Sequence, residues 1–168
     1  MVYKSVIPTL FLFWLLSFCS CAQSTQPKKS NEINLTKLIY HSSRCYGPCP
    51  TIDMEIDSNR HIYVTRQRFH FKEPIDSGSG YFAGILPQEK FDSVIHLLKA
   101  CDYNNLTFPD VNCCDGVITT LIIYSNGQRK YLRSMTPPQK AGKLISYLHE
   151  IGLNEPLAKT DKEIKLEE

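Results

Sequence analysis

The chain has little net charge and none of the motifs that mark common enzymes. Its 19 lysine and arginine residues stand against 17 acidic residues in 168, which leaves a net charge of +2 at pH 7. So small an excess gives no reason to expect nucleic acid as a partner. No Ser/His/Asp order, nucleophile elbow, phosphate-binding loop or paired-histidine helix motif is present. These absences favour a binding domain over an enzyme, and we expect no cofactor.

Long apolar runs are confined to the N-terminus. Lys4 precedes an apolar stretch over residues 6–18, which is shorter than the roughly 20 residues that a membrane-spanning helix needs. A positive residue, an apolar stretch and small residues after it are typical of a secretory signal peptide. We therefore predict a signal peptide over residues 1–20 and no transmembrane helix after it.

The end of this signal peptide favours lipid attachment. Residues 15–21 resemble a bacterial lipobox, with Ser20 directly before Cys21 and with Phe18 where that pattern prefers leucine. Cleavage before Cys21 would leave a thiol for acylation, whereas ordinary cleavage after Ala22 would give a secreted soluble protein. We expect the first outcome, a lipid-anchored protein of the bacterial cell envelope that faces the periplasm or the cell surface.

Composition divides the exported part into a tether, a domain and a tail. Residues 21–35 are polar and predict the lipid anchor and a flexible tether. Residues 36–155 carry regular apolar patterns and predict a single α+β domain. Residues 156–168 form a charged tail, and we predict that residues 159–168 fray.

The patterns inside the domain predict a two-layer fold. Apolar and acidic residues alternate over residues 52–57, which is typical of a half-buried strand, and Asn126-Gly127 is a strong hairpin signal. Apolar stripes at helical spacing predict one helix that opens at Pro87 and another that follows Thr136 and ends at Gly152. We expect an antiparallel sheet of about six strands with both helices packed on one face. The other strands are predicted over residues 38–41, 61–71, 81–86, 117–124 and 131–135.

The most specific motif is a turn-rich segment, Cys45-Tyr46-Gly47-Pro48-Cys49-Pro50. It resembles the hallmark of a bacterial family called domain of unknown function 6438. In that family an alternating strand and a tight turn follow the cysteine-containing segment. The resemblance runs from about Ile39 to Ile151 and implies an architecture and an exported setting, but no activity. Members of that family tend to have glycine near Arg60. Here we expect Asn59 to supply the positive φ, because asparagine tolerates the left-handed region.

The two cysteines of this segment leave several chemistries open. A disulfide between Cys45 and Cys49 would staple the loop, because the Gly47-Pro48 turn brings the sulfurs together and exported proteins meet an oxidising compartment. Two thiolates with His41 as a third ligand would suit Cu(I). A redox dithiol and two free thiols are the other interpretations. We expect the disulfide, and a copper-binding or thiol-redox protein is the alternative function.

Three further cysteines lie in the domain, so the total of five leaves at least one without a partner inside the chain. A second disulfide from Cys101 to Cys113 or Cys114 would pin the loop between them. In the other interpretation Cys101 is a small buried hydrophobe.

Basic residues alternate from Arg66 to Lys72 and share one face of a predicted strand. They suit a patch for acidic ligands or lipid headgroups, but we favour an exposed face whose charges pair with Asp53 or Glu55 across the hairpin. Taken together, the sequence predicts a non-enzymatic binding domain. Its partners are the membrane, through the lipid, and an unidentified protein or small ligand.

Overall fold

The computed structural model describes residues 32–70, 73–74, 78–111, 113, 115–163, 165 and 167. The predicted signal peptide, Cys21 and most of the predicted tether lie outside the described residues, as do Lys72 and Cys114. Ile33–Glu168 forms one compact unit. Within the described part of the chain, no helix has the length and apolar character needed to cross a membrane.

The domain is built on a seven-stranded antiparallel sheet. The elements in chain order are β1 (Leu35–Ser42), β2 (Thr51–Asp57), β3 (His61–Gln67), β4 (Phe69–His70), β5 (Glu73–Pro74), β6 (Gly80–Ile85), α1 (Gln88–Ala100), β7 (Thr119–Ser125), β8 (Gln128–Ser134), α2 (Gly142–Asn154) and β9 (Ala158–Thr160). The strand order is β8-β7-β1-β2-β3-β6-β9, and β4 and β5 form a separate ribbon. The predicted α+β class is confirmed, with one strand more in the main sheet than expected.

One face of the sheet packs against both helices. On β2 the predicted apolar face, Ile52, Met54 and Ile56, is fully buried. These side chains share a core with Leu98 of α1 and Leu148 of α2. Burial of each such side chain contributes about 1.5–3 kcal/mol. The alternation on β2 therefore predicted correctly which face the helices cover.

The two tight turns differ in how well the sequence predicted them. Asn126 and Gly127 have φ values of 52° and 73°, which is the type I′ hairpin that the dipeptide predicted. After β2, however, the positive φ of 68° belongs to Arg60 and not to Asn59. The Arg60 guanidinium donates to Leu86 O at 3.0 Å, so a tertiary contact holds a residue type that rarely adopts this conformation.

The second helix starts and ends later than predicted. A 3-10 turn over Gln139–Ala141 precedes α2, which begins at Gly142. Gly152 does not end the helix but lies inside it. A Cβ atom there would sit 2.6 Å from Ile52 Cγ2, which is too close for any side chain. The glycine is therefore explained by the close approach of α2 to β2.

Part of the predicted tail belongs to the sheet. β9 pairs with β6, with Tyr81 opposite Thr160 and Ala83 opposite Ala158. Without β9, β6 would leave its backbone groups unpaired at the sheet edge. The expectation that residues 159–168 fray is therefore wrong for residues 159 and 160, which belong to β9.

Arg66 on β3 and Arg68 directly after β3 cap α2, whereas His70 on β4 is exposed. Arg66 is 7% exposed and donates to Gly152 O at 3.2 Å and to Leu153 O at 2.6 Å. Arg68 also donates to Leu153 O at 2.6 Å. The interpretation of an exposed face that pairs with Asp53 or Glu55 is wrong for Arg66, because Arg66 falls on the face of Ile62 and Val64, which the helices cover.

Candidate functional site

The Cys45–Cys49 segment forms a compact loop. The two sulfurs are 1.94 Å apart, at disulfide-bonding distance, and the Cα atoms are 5.5 Å apart. Gly47 N–H donates to Cys45 Sγ at 3.1 Å, and Tyr46 N–H donates to Asp115 O at 3.3 Å. The Tyr46 side chain is 71% exposed. The loop is thus tied to the β7 side of the domain and presents an aromatic ring to solvent.

His41, the candidate third copper ligand, is engaged on the sheet. Its Nδ1 lies 2.8 Å from Asp53 Oδ1, and its Nε2 lies 2.7 Å from the backbone oxygen of Glu167. Among the residues that the structure describes, no group of three or more histidine, cysteine, aspartate or glutamate side chains is placed to hold a metal ion.

The other cysteines that the structure describes are free thiols. Cys101 is buried and Cys113 is exposed. Cys101 Sγ lies 3.4 Å from Leu98 O, and burial raises the pKa of its thiol. Cys101 thus fits the interpretation of a small buried hydrophobe. A bridge between Cys101 and Cys113 is not formed, and Cys114 lies outside the described residues.

The face of the sheet opposite the helices carries the densest cluster of charged and aromatic side chains. Strand register aligns these groups in rows across β1, β2, β7 and β8. In one row Lys37 lies opposite Asp57 on one side and Tyr124 on the other, and Tyr124 lies opposite Arg129. We call this surface the open face. The backbone hydrogen bonds between the strands fix the Cβ positions of these residues, so facing side chains lie at defined distances from one another.

A carboxylate occupies one end of the open face. Tyr124 donates its hydroxyl to Glu167 Oε2, while Arg129 Nε and Nη2 lie 2.7 and 2.6 Å from Glu167 Oε1. Lys37 Nζ stands 4.7 Å above the Tyr124 ring centre and 3.9 Å from Glu55 Oε2. A phenol and a guanidinium therefore bind one acidic side chain, with Lys37 stacked over the phenol ring. We call Lys37, Tyr124 and Arg129 the carboxylate site.

The electrostatics of the carboxylate site favour a negative ligand. The hydrogen bond from Tyr124, followed by that from Arg129, lowers the pKa of the Glu167 carboxyl. In turn the hydrogen bond to Glu167 raises the pKa of Arg129. Each partner holds the other in its charged form, because donors around a carboxylate stabilise the anion.

His41 extends this site to the main chain of the tail. An ionised carboxylate and a carbonyl oxygen both accept hydrogen bonds, and they face the two ring nitrogens of His41. Only the doubly protonated imidazolium donates to both at once. His41 therefore links the Asp53 side chain of β2 to the main chain of Glu167.

A shallow pocket on the same face lies nearer to β6. It is lined by Asp53, Tyr63, Thr65, Tyr81 and Lys162, among others. Lys162 comes from the segment after β9, so that segment lies against the open face at this point too. The pocket has no enclosed hollow of the kind that small-molecule sites usually offer.

Sequence reasoning missed the carboxylate site. Lys37, Tyr124 and Arg129 come from three strands whose pairing is not visible in the sequence, and Glu167 lies in the segment predicted to fray. One signal in the sequence could have paired two of these residues. Tyr124 and Arg129 flank the Asn126-Gly127 turn, and a two-residue hairpin loop places them opposite each other.

The comparisons with known proteins agree with the motif in the Cys45–Cys49 loop. No curated protein matches the chain. A family model described as domain of unknown function (DUF6438) matches residues 36–152, which covers every element from β1 to α2 apart from their outermost residues. The resemblance noted in the sequence is confirmed, and the chain belongs to the DUF6438 family.

Proposed function

We propose that this protein is an exported, lipid-anchored and non-enzymatic binding domain that holds a partner protein against the open face. The observation that supports this proposal is the carboxylate site, where Tyr124 and Arg129 both donate to one acidic group. Directed charge-assisted hydrogen bonds from an exposed arginine such as Arg129 suit recognition of another chain. The lipid that we expect on Cys21 after cleavage of the leader over residues 1–20 would supply the membrane attachment.

The anchor is tested by metabolic labelling with a radioactive fatty acid. We expect the wild-type protein to take up the label and Cys21→Ser to lose it. Cys19→Ser is the matched control, because it removes a neighbouring leader cysteine and should leave the label in place. Absence of label from the wild-type protein would refute the lipid anchor.

The binding surface is tested by photo-crosslinking in the native envelope. A photoreactive phenylalanine analogue replaces Tyr63, on the open face, or Tyr147, on α2, and both positions are half-buried tyrosines. We expect a discrete cross-linked product from position 63 only, and its loss when Arg129→Glu is added. Equal products from both positions would overturn the assignment of the open face.

A thiol-redox or Cu(I)-binding role for Cys45 and Cys49 is the second candidate function. It is favoured by the Gly47 N–H bond to Cys45 Sγ, because a backbone donor stabilises a thiolate. The reduced protein is mixed with Cu(I), and the wild type is compared with Cys49→Ser. Stoichiometric copper that is lost in the variant would support this role. If the wild type and Cys49→Ser retain equally little copper, a Cu(I)-binding role is excluded.

A further inference from the structure

The segment after β9 crosses the strands of the open face. Lys162 lines the pocket formed by β2, β3 and β6, whereas Glu167 contacts side chains of β1, β7 and β8. From β3 to β7 the sheet spans three strand spacings, about 14 Å. Five residues reach at most about 17 Å. Lys162 and Glu167 therefore lie against separate parts of the open face.

Only one described residue of this segment is held firmly. Glu163 and Lys165 are exposed, whereas Glu167 is half-buried. Glu167 is bound through its side chain by Tyr124 and Arg129 and through its backbone oxygen by His41. A glutamate is therefore recognised at both its carboxylate and its main chain.

We propose that the carboxylate site together with His41 is a docking site for a glutamate in an extended acidic segment of a partner protein, and that Glu167 occupies the site in cis until the partner displaces it. The inference rests on the proposed function and names the chemistry of its partner. Charge complementarity identifies the occupant, because Arg129 binds the Glu167 carboxylate directly and the charge of Lys37 also stabilises the ionised carboxylate. Contacts between exposed charges are weak enough for a competing segment to replace them.

The test uses the full chain purified in detergent and a fluorescent synthetic peptide that copies residues 161–168. A variant chain that ends after Asp161 keeps β9 and frees the site. We expect this variant to bind the peptide at least tenfold more tightly than the wild-type chain, because no tail competes. A peptide with glutamine at the position of Glu167 should bind at least tenfold more weakly.

Two arginines of β8 allow a matched comparison of substitutions in the shortened chain that ends after Asp161. Arg129 contacts Glu167, whereas Arg133 is exposed on the same strand, at the same parity, and lies opposite Thr120. We expect Arg129→Met to reduce peptide affinity at least tenfold and Arg133→Met to change it less than twofold. Equal effects from the two substitutions would show a general charge attraction and overturn the site.

A point variant covers the case in which the shortened chain does not fold. Full-length Glu167→Gln keeps every other residue and should bind the peptide several-fold more tightly than the wild type. The same affinity for the wild type and for this variant would overturn occupation in cis. Dimers in sedimentation that disappear with Glu167→Gln would also overturn occupation in cis, since the tail would then bind a second copy of the chain.

The peptide-binding assay needs neither the lipid nor the native partner, so a failure of labelling at Cys21 leaves its result unaffected.

Discussion

The two faces of the main sheet are built from the same strands but are held by different forces. On β2, Met54 is fully buried against the helices, while its neighbour Glu55 pairs with Lys37 across the strands of the open face. Apolar packing has no preferred direction and grows with buried area. Hydrogen bonds to charged groups are directional and depend on position.

The comparison separates stability from recognition. The helix-covered face accounts for the core, whose buried side chains include Ile56, Leu98 and Leu148. The open face presents groups that already bind a carboxylate, at Tyr124 and Arg129. We therefore expect substitutions of buried residues on the first face to unfold the protein, and substitutions of the charged residues on the second to change binding alone.

The largest effect should come from a pair of neighbouring substitutions on β2. Met54→Ala leaves a cavity in the core, and we expect it to lower the free energy of unfolding by about 2–5 kcal/mol. Glu55→Ala, on the open face, should change it by about 0.5 kcal/mol or less. Urea unfolding measures both. Similar losses in the two variants would contradict the division between the faces.

A smaller loss is expected where a polar group serves the helix-covered face. Arg66→Met removes the donor for the carbonyl groups of Gly152 and Leu153 at the end of α2, and should lower the free energy of unfolding by about 2 kcal/mol. Arg129→Met is the control, because its partner Glu167 lies on the open face, and should leave the urea midpoint unchanged. If both variants unfold at the wild-type midpoint, Arg66 has no capping role.

A still smaller effect is expected from His149, which should make the free energy of unfolding depend on pH. The hydroxyl of Tyr40 lies 3.1 Å from His149 Nδ1, and burial lowers the pKa of this histidine from its ordinary 6.5. The unfolded chain then binds the proton more readily, so stability is full above pH 6.5 and falls as the pH drops towards the lowered pKa. His149→Gln should flatten this decline in urea unfolding from pH 7 to 5, whereas His96→Gln, at an exposed position, should not. A decline of unchanged slope in His149→Gln would rule out this histidine.

The smallest effect on stability is expected from Glu167→Gln. Its contacts lie at the surface, where solvent screens ion pairs, so the urea midpoint should stay at the wild-type value. Amide chemical shifts should still change near Tyr124 and Arg129, because the carboxylate leaves them. Shifts spread over α1 and α2 would show that the open face is coupled to the core.

Local patterns predicted the fold well because they depend on neighbours in the chain. The alternation from Ile52 to Ile56 placed one face of β2 in the core, and Asn126-Gly127 predicted its hairpin. Predictions failed where a distant group decided the outcome. Arg60 adopts a positive φ with its guanidinium bonded to Leu86 O, and Arg66 is buried because the end of α2 offers carbonyl groups to it.

The sequence by itself determined the α+β class, the helix-covered face and the family, since periodicity and the Cys45–Cys49 motif are properties of short segments. Only the tertiary structure brought Lys37, Tyr124 and Arg129 around Glu167. These residues are far apart in the chain, and their meeting depends on the pairing of β1 with β7 and of β7 with β8. Strand pairing is set by the packing of the whole domain, because each register must satisfy the backbone hydrogen bonds and the buried face together.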